Sequence, residues 1–160
     1  MKRLELALDL LRSQTTLALA TTAADGSPRT APLFYLVEDG PRLYWFSSRA
    51  SEHSRNLKRN PAAAVTVYRA AETWREIRGI QMRGAVSAVT DRARRRSVTK
   101  AYTQRFHLGG LFEAAIARSG LYVFEPAWLR YIDNTRRFGY KFEMAKTKPN
   151  ETERAPFRTL

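Results

Sequence analysis

The sequence contains no cysteine and only two histidines among its 160 residues. Without cysteine there can be no disulfide framework, no thiolate metal site and no cysteine nucleophile. Because His53 and His107 lie far apart in the chain, we do not expect a histidine-rich metal site either. The composition therefore predicts no metal site built from cysteines or from clustered histidines.

No apolar run approaches the roughly 20 residues that a membrane-spanning helix needs. The first residues, MKRLELALDLLRSQ, could be mistaken for a signal peptide. However, Glu5, Asp9 and Arg12 interrupt the run, and its leucines recur at helical spacing. We therefore expect a short N-terminal helix, no contact with a membrane and a cytoplasmic location.

The sequence also has none of the short signatures that mark common enzymes. It has no serine elbow, no Walker or Rossmann glycine pattern and no pair of carboxylates at catalytic spacing. This absence is compatible with an enzyme in which a cofactor carries the chemistry and the protein supplies binding and orientation. It is equally compatible with a binding protein that performs no turnover.

Acidic residues are few: 28 Lys and Arg stand against 15 Asp and Glu, a formal net charge of +13. This balance favours anionic partners, although a high arginine content also arises from compositional bias. The densest cluster, at residues 92–96, falls at the start of a predicted helix, where the helix dipole opposes cations. It is read as a solvated face, an anion site or a nucleic-acid contact. Since no helix-turn-helix, zinc-finger or RNA-recognition motif accompanies it, we expect only non-specific nucleic-acid binding.

Short apolar segments at hairpin spacing dominate the rest of the chain. They predict a mainly β fold with helices (α+β), with about six or seven antiparallel strands in a closed or partly closed barrel. The predicted strands include residues 33–37, 121–124 and 128–132. In the predicted strand over residues 76–89, Gly79 and Gly84 mark bulges or close approaches. Ser51 and Asp91 are predicted to cap helices that end near Arg59 and Phe106. We expect one domain over residues 1–144. The polar segment 145–160 is predicted to be a flexible tail, or an arm that orders only on a partner.

The clearest functional pattern lies between Arg29 and Pro61. A strand ends in Ser47-Ser48-Arg49, and a short polar helix begins after Ser51. The first amides of a helix have no internal partner, and the helix dipole makes that end positive. With His53 and Arg55 nearby, this arrangement predicts an anion cradle, although an ordinary capped helix on a basic surface would carry the same residues.

The same segment resembles the pyridoxamine 5'-phosphate oxidase-like family of FMN-binding split barrels. The resemblance spans about residues 10–144, and two of its runs, IRGIQMRG and DNT, are similar to the small YhbP-like subgroup. It implies an antiparallel split β-barrel of the FMN-binding type, present as a homodimer with the cofactor site at the subunit interface. The matching runs are RTAPL (29–33), YWFSS (44–48), SEHSRNL (51–57), NPAAAV (60–65), IRGIQMRG (77–84) and DNT (133–135).

The resemblance also implies the residues of the cofactor site. The phosphate of FMN would lie against the serines and histidine of the cradle, and the ring would lie against the backbone after Arg29. Arg29 could instead be a surface residue after a turn, and Gln81 an outward-facing strand residue. The implied cofactor-binding residues are Arg29, Ala31, Pro32, Leu33, Phe46, Ser47, Ser48, Arg49, Ser51, His53 and Gln81.

Two departures from the family pattern narrow the implied activity. Family members often carry Lys or Arg where this chain has Glu52 and His53. True pyridoxamine 5'-phosphate oxidases end in an Arg-x-His segment, whereas this chain reads NTRRFGYKFEM there. We therefore expect an FMN-dependent oxidoreductase acting on a different small molecule. The alternatives are a split barrel that binds F420 or haem, with His53 or His107 as haem ligand, a non-catalytic flavin or anion binder, and a basic nucleic-acid-associated protein.

Several other residues are candidates for the substrate side of such a site. Each of the aromatic candidates could also be an ordinary core residue. The Asp133-Asn134-Thr135 run either closes the pocket or only makes a turn. The candidates are the aromatic residues Trp74, Tyr102, Phe106 and Phe138, and the cations Arg105, Arg136 and Arg137.

Overall fold

A computed structural model describes residues 2–147 and 157–159 of the chain. The helices are α1 (Lys2–Ser13), α2 (Glu52–Arg59), α3 (Arg92–Phe106) and α4 (Gly110–Arg118), and a short 3₁₀ helix covers Trp74–Glu76. The strands are β1 (Thr16–Thr22), β2 (Pro28–Phe34), β3 (Leu36–Glu38), β4 (Arg42–Ser47), β5 (Ala62–Tyr68), β6 (Arg78–Ala88), β7 (Gly120–Asp133), β8 (Lys141–Lys146) and β9 (Phe157–Thr159).

All of these strands belong to one curled antiparallel sheet that forms a split barrel. Its main path runs β2-β1-β5-β6-β7-β4-β3, and β8 and β9 extend it from β7. The first half of β7 pairs with β4 and its second half with β8, while β6 spans both halves. The predicted fold class is confirmed. The described strands number nine, more than the six or seven that were predicted. The predicted strand over residues 33–37 is divided between the end of β2 and β3.

The main hydrophobic core lies between the inner face of the sheet and α1. Alternate residues of the central strands point inward, as expected for a sheet with one buried face. Helix α1 closes the core with its buried side chains, and the hydroxyl of Tyr35 donates a 2.6 Å hydrogen bond to the carbonyl of Leu11. The buried residues of this core include Ala7, Leu8, Leu11, Leu19, Val65, Val67, Ile80, Met82, Leu129 and Tyr131.

A second, smaller core forms where α3 and α4 cover the other side of β4 and β7. It contains the buried side chains of Val98 and Tyr102 from α3, Ile116 from α4, and Leu121 from β7. The predicted start of α3 is confirmed, since a carboxylate oxygen of Asp91 accepts a 2.6 Å hydrogen bond from the amide of Arg94. This core fixes the side of β4 that faces away from α1.

Gly84 marks a close approach between β6 and β7, as the sequence predicted. The register shifts between Arg83 and Gly84. A Cβ atom at Gly84 would lie 2.0 Å from the carbonyl oxygen of Glu125, so no other residue fits there without moving the backbone. The irregularity accommodates Pro126, and β7 is therefore one continuous strand rather than the two that were predicted.

The structure differs from the predicted tail at both of its ends. Strand β8 continues through Ala145 to Lys146, two residues beyond the predicted end of the domain. Phe157–Thr159 then pairs antiparallel with β8 as β9. Phe157 is partly buried against the main core, which gives this short strand an apolar anchor. Residues 148–156 of the predicted tail lie outside the described residues.

Candidate cofactor site

The predicted cradle forms where β4 passes into α2. Ser47 ends β4 and pairs with Gly120 at the start of β7. The amide of Ser51 donates a 3.1 Å hydrogen bond to the carbonyl of Ser48, which closes the turn. Ser51 then caps α2, because its hydroxyl accepts a 3.3 Å hydrogen bond from the amide of Ser54. The predicted helix start and its N-cap are confirmed.

Three of the predicted site residues converge at the start of α2. The Nε2 atom of His53 lies 2.6 Å from the hydroxyl oxygen of Ser47 and 3.1 Å from that of Ser51. The two hydroxyl oxygens are 3.4 Å apart. All three side chains are partly buried. We call these residues the Ser–His cluster; they place hydrogen-bonding groups at the positive end of a helix.

Buried polar contacts hold α2 in this position. The side-chain amide of Asn56 donates a 3.1 Å hydrogen bond to the hydroxyl of Thr21 on β1, and both residues are buried. Leu57 packs into the main core on the same side of the helix. Thr21, Ser54 and Asn56 were not predicted as site residues. The sequence signal that could have identified them is a polar residue at a position expected to face the sheet.

The Ser–His cluster supplies hydrogen bonds rather than permanent charge. Burial lowers the pKa of His53 below its ordinary value, and the nearby Glu52 carboxylate opposes this only in part. The imidazole is therefore neutral near neutral pH. A neutral imidazole can donate from one nitrogen and accept at the other, and serine hydroxyls can do both. Permanent positive charge for an anion must come from nearby arginines.

The arginines around the cradle are each tied to a neighbour. The Nε atom of Arg29 lies 3.0 Å from a carboxylate oxygen of Glu52, so the structure brings Arg29 to the start of α2 as an exposed ion pair. The acidic residue at the start of α2 therefore has an arginine partner on β2. Arg49 donates a 3.3 Å hydrogen bond to the carbonyl of Arg118, and Arg55 donates to the carbonyl of Ala50.

The predicted ring-binding segment lies next to the cradle. Within the sheet path β2 is an end strand that pairs with β1, and it lies beside β4, which carries Ser47. Pro32 is exposed, whereas Ala31 and Leu33 are partly buried. An end strand presents backbone amides and carbonyls on its open side. Residues 31–33 therefore lie on an edge strand beside the cradle, where Pro32 has no amide hydrogen to donate.

Two predicted site residues point elsewhere within the chain. The ring of Phe46 packs edge-on against Tyr102, with centroids 5.1 Å apart, and the Arg95 guanidinium lies over it. Phe46 therefore belongs to the second core. Gln81 is exposed on the outer face of β6. Strands β1 and β5 separate β6 from β2, a span of about 14 Å at ordinary strand spacing.

The Asp133-Asn134-Thr135 run makes the turn between β7 and β8. The buried Asp133 carboxylate accepts hydrogen bonds from the Tyr131 hydroxyl at 2.9 Å and from the Thr135 amide at 3.1 Å. Burial raises the pKa of Asp133, but hydrogen bonds from Thr135 and Tyr131 and the charge of Arg78 hold that pKa below its ordinary value. The carboxylate is thus an ionised structural group.

The aromatic candidates divide into two groups. Tyr102 is buried and Phe106 is partly buried against the second core, so both are ordinary core residues. Trp74 is 50% exposed and Phe138 is 75% exposed.

Over the ranges that the structure describes, no helix is long and apolar enough to cross a membrane, and no three potential metal ligands come together.

The chain is similar to known proteins in both sequence and fold. The family model of pyridoxamine 5'-phosphate oxidase matches residues 5–133. A pyridoxine/pyridoxamine 5'-phosphate oxidase from Rhodopseudomonas palustris (strain BisB5) is 34% identical over 82 residues. That alignment covers 51% of this chain but only 36% of the enzyme.

Two solved structures show the same fold at low sequence identity. A conserved hypothetical protein from Mycobacterium tuberculosis is 19% identical, with a TM-score of 0.75 over 96% of this chain and 95% of its own. A heme binding protein from Mycobacterium smegmatis is 16% identical, with a TM-score of 0.74 over 89% of this chain and 57% of its own. The sequence match spans most of this chain. The protein therefore belongs to the pyridoxamine 5'-phosphate oxidase family.

Proposed function

We propose that this chain is an FMN-binding split-barrel protein that acts as an oxidoreductase on a small molecule. The observation that carries the proposal is the Ser–His cluster, which meets at the start of α2 beside the end strand β2. Its hydroxyls, imidazole and helix amides are the donors that a phosphate monoester requires. FMN, when bound, would supply the electron transfer, and the protein would bind and orient it.

The residues near the cradle have separable roles in this proposal. Ser47, Ser48 and Ser51 donate hydroxyl hydrogen bonds to the phosphate, and the first amides of α2 add backbone donors. Arg49 and Arg55 supply positive charge, since both guanidiniums are exposed and, among the described residues, bond neutral carbonyls rather than carboxylates. The backbone of residues 31–33 would bond the polar edge of the flavin ring.

We further propose that the cofactor site is shared between two copies of the chain. Gln81 lies on the outer sheet face, about three strand spacings from β2. A second chain packed across this face would bring its own Gln81 towards the first chain's cradle. We expect light scattering at low micromolar concentration to give about twice 18.3 kDa, and moderate salt to leave that mass unchanged because apolar burial is not screened. A monomer with full flavin occupancy would contradict a shared site.

The absorbance spectrum of the purified protein tests the cofactor directly. Bands of oxidised flavin, retained after dialysis or restored by added FMN, support the proposal. A sharp Soret band would replace it with haem, the alternative supported by the structural likeness to the mycobacterial heme binding protein. Haem ligation by His53 would disrupt its hydrogen bond to Ser47, whereas His107 is exposed. Absorption by neither chromophore would favour F420 or a binder of other anions.

The rate of flavin reoxidation separates an enzyme from a binding protein. An oxidoreductase should transfer electrons between its flavin and a small molecule, so anaerobically reduced protein should be reoxidised faster by one class of acceptor. A flavin binder would show no such selectivity.

For nucleic acid, we propose only non-specific binding, which should largely vanish by about 200 mM salt. A preference between two unrelated duplexes at physiological salt would instead make the basic surface that begins with residues 92–96 the functional site.

A further inference from the structure

Two neighbouring connections form a fixed unit at one end of the sheet. One is the β5–β6 connection, which contains the 3₁₀ helix, and the other is the β7–β8 turn. Asn134 joins them. Its backbone amide donates to the carbonyl of Ile77 at 2.9 Å, and its side-chain amide donates to the carbonyl of Trp74 at 2.8 Å. Its side-chain oxygen accepts from the amide of Gly139 at 3.1 Å. Asn134 therefore sets the relative position of both connections.

This unit presents aromatic rings to solvent. The rings of Trp74 and Phe138 meet edge to face with centroids 5.1 Å apart, and Ile77 beside them is 45% exposed. We call these three residues the loop platform. Grouped exposure of large apolar side chains is uncommon unless the surface binds something. Hydrogen bonds from Asn134 also hold the backbone that carries the platform, so a ligand would find this backbone already in position.

The platform is flanked by positive charge that the chain leaves available. The Arg75 guanidinium lies 4.5 Å from the centre of the Trp74 ring. In residues 2–147 and 157–159, the ion pairs at this end of the molecule involve Arg78 and Arg136 but not Arg75 or Arg137. The carboxylate of nearby Glu76 accepts hydrogen bonds from the Glu72 amide and the Thr73 hydroxyl. It is thus engaged within its own connection.

We infer that the loop platform is a binding site for a planar aromatic molecule that carries a carboxylate or phosphate group. The solvent-exposed parts of the Trp74 and Phe138 rings suit a flat ring, because aromatic rings favour offset or edge-on contact. The guanidinium of Arg75, which lies beside the Trp74 ring, suits the anionic group because its planar fork can form two hydrogen bonds with a carboxylate or phosphate. The inference does not depend on flavin binding by the cradle.

A direct test is to titrate the purified protein with naphthalene-2-carboxylate and to measure binding by isothermal titration calorimetry. We expect saturable binding that is at least about fivefold tighter than that of naphthalen-2-ylmethanol, which lacks the charge, or of cyclohexanecarboxylate, which lacks the flat ring. Trp74→Ala and Arg75→Ala should each weaken binding by about tenfold. Phe138→Leu should weaken it less, because an apolar contact remains.

Matched controls decide between this site and general adhesion to a basic protein. Trp128→Phe removes another indole outside the buried core, and Arg92→Ala removes an exposed arginine of α3; both should leave naphthoate binding unchanged. Equal losses in these controls, or unchanged binding in Trp74→Ala, would overturn the inference. Competition by FMN would also overturn it, by placing the probe in the cofactor site. If wild type does not bind naphthoate and Trp74→Ala dissociates a dimer, the platform is a subunit interface instead.

Discussion

The starts of α2 and α3 are alike in backbone and opposite in side-chain use. Each follows a strand and begins with a capping side chain, Ser51 for α2 and Asp91 for α3. Each therefore has the positive dipole end that suits an anion. The first turn of α3 carries far more cations, yet it is the start of α2 at which hydroxyl and imidazole groups converge.

The arginines of α3 show why their number misleads. Arg94 lies 3.2 Å from Glu38 and 2.5 Å from Asp39, so its charge is balanced within the chain. Arg95 donates hydrogen bonds to the carbonyls of Ile116 and Ser119 at 3.1 and 2.9 Å, which satisfies the end of α4. These side chains stabilise the packing of α3 on its neighbours. The remaining exposed arginines fit the predicted solvated face.

This comparison indicates that an anion site depends on where donors converge, more than on how many cations the sequence contains. Hydroxyl groups on the short cradle loop can turn towards a ligand without breaking the core. Arg94 cannot do so without leaving two carboxylates unpaired. A net charge of +13 therefore predicts attraction of anions to the surface, and the Ser–His cluster predicts where one of them is held.

The contrast between the starts of α2 and α3 is tested most directly by measuring the affinity for FMN. We expect Ser51→Ala combined with His53→Ala to weaken FMN binding by about 1.5–4 kcal/mol, since charge-assisted hydrogen bonds contribute roughly 1.5–3 kcal/mol each and are not fully additive. Arg92→Ala combined with Arg96→Ala should change affinity by less than about twofold. Titration followed by flavin fluorescence measures both variants.

The cap function of Ser51 requires a second cradle variant. Loss of an N-cap alone destabilises a helix by about 1 kcal/mol, which could weaken binding indirectly. Ser47→Ala combined with His53→Gln leaves the cap intact and should also weaken FMN binding. If both cradle variants bind FMN as wild type does, the β4–α2 loop is not the phosphate site.

The anchoring of α2 is the next largest expected effect. Asn56→Ala should lower the free energy of unfolding by about 1–3 kcal/mol, because it leaves the buried Thr21 hydroxyl without its partner. Urea denaturation measures this, with exposed Lys58→Ala on the same helix as the control. Combining Thr21→Val with Asn56→Leu should recover stability, since neither polar partner remains. A cost for Asn56→Ala no larger than that for Lys58→Ala would show that α2 is held by other contacts.

Local signals predicted most of the fold correctly. Capping residues placed the starts of α2 and α3, and Gly84 placed the irregularity between β6 and β7. The three-residue strand β9 was missed because so short a segment carries no measurable alternation. The predicted strand over residues 33–37 did not separate β3 from the end of β2. The strands predicted over residues 121–124 and 128–132 are parts of the single strand β7, which runs through Pro126. A proline interrupts a regular ladder, but the register shift at Gly84 accommodates it, and only the pairing of β6 with β7 reveals that shift.

The site was harder to predict because it depends on which strands become neighbours. Ser47, Ser51 and His53 are close in sequence, and their convergence follows from one turn and one helix. Gln81 and Phe46 depend on the sheet, which places Gln81 on an outer face and Phe46 in the second core. The buried bond between Asn56 and Thr21 joins residues 35 positions apart. No local pattern indicates that pairing.

A smaller expected effect is the contribution of Arg94 to stability, which tests whether the arginines of α3 are engaged within the chain. Arg94→Ala should lower the free energy of unfolding by up to about 1 kcal/mol, because it removes a partly buried ion-pair network with Glu38 and Asp39. Arg92→Ala should cost less than about 0.5 kcal/mol, as for an exposed substitution without a special contact. The difference between them should shrink as salt is added. Equal costs at low salt would mean that Arg94 is as free as its neighbours.

The smallest expected effect is a pH dependence of the Ser–His cluster. Burial places the pKa of folded His53 below its ordinary value of 6.5, so the unfolded chain binds more protons in the window between the two. Stability from His53 should therefore be present above about pH 6.5 and fall on acidification through that window. Bound phosphate favours the protonated imidazole and should reduce this fall. Urea denaturation at about pH 5.5 and about pH 7.5 measures it, with and without inorganic phosphate. The decline should be weaker in His53→Gln, whereas His107 is present in both proteins. A decline that is identical in the two proteins would show that His53 is not the titrating group.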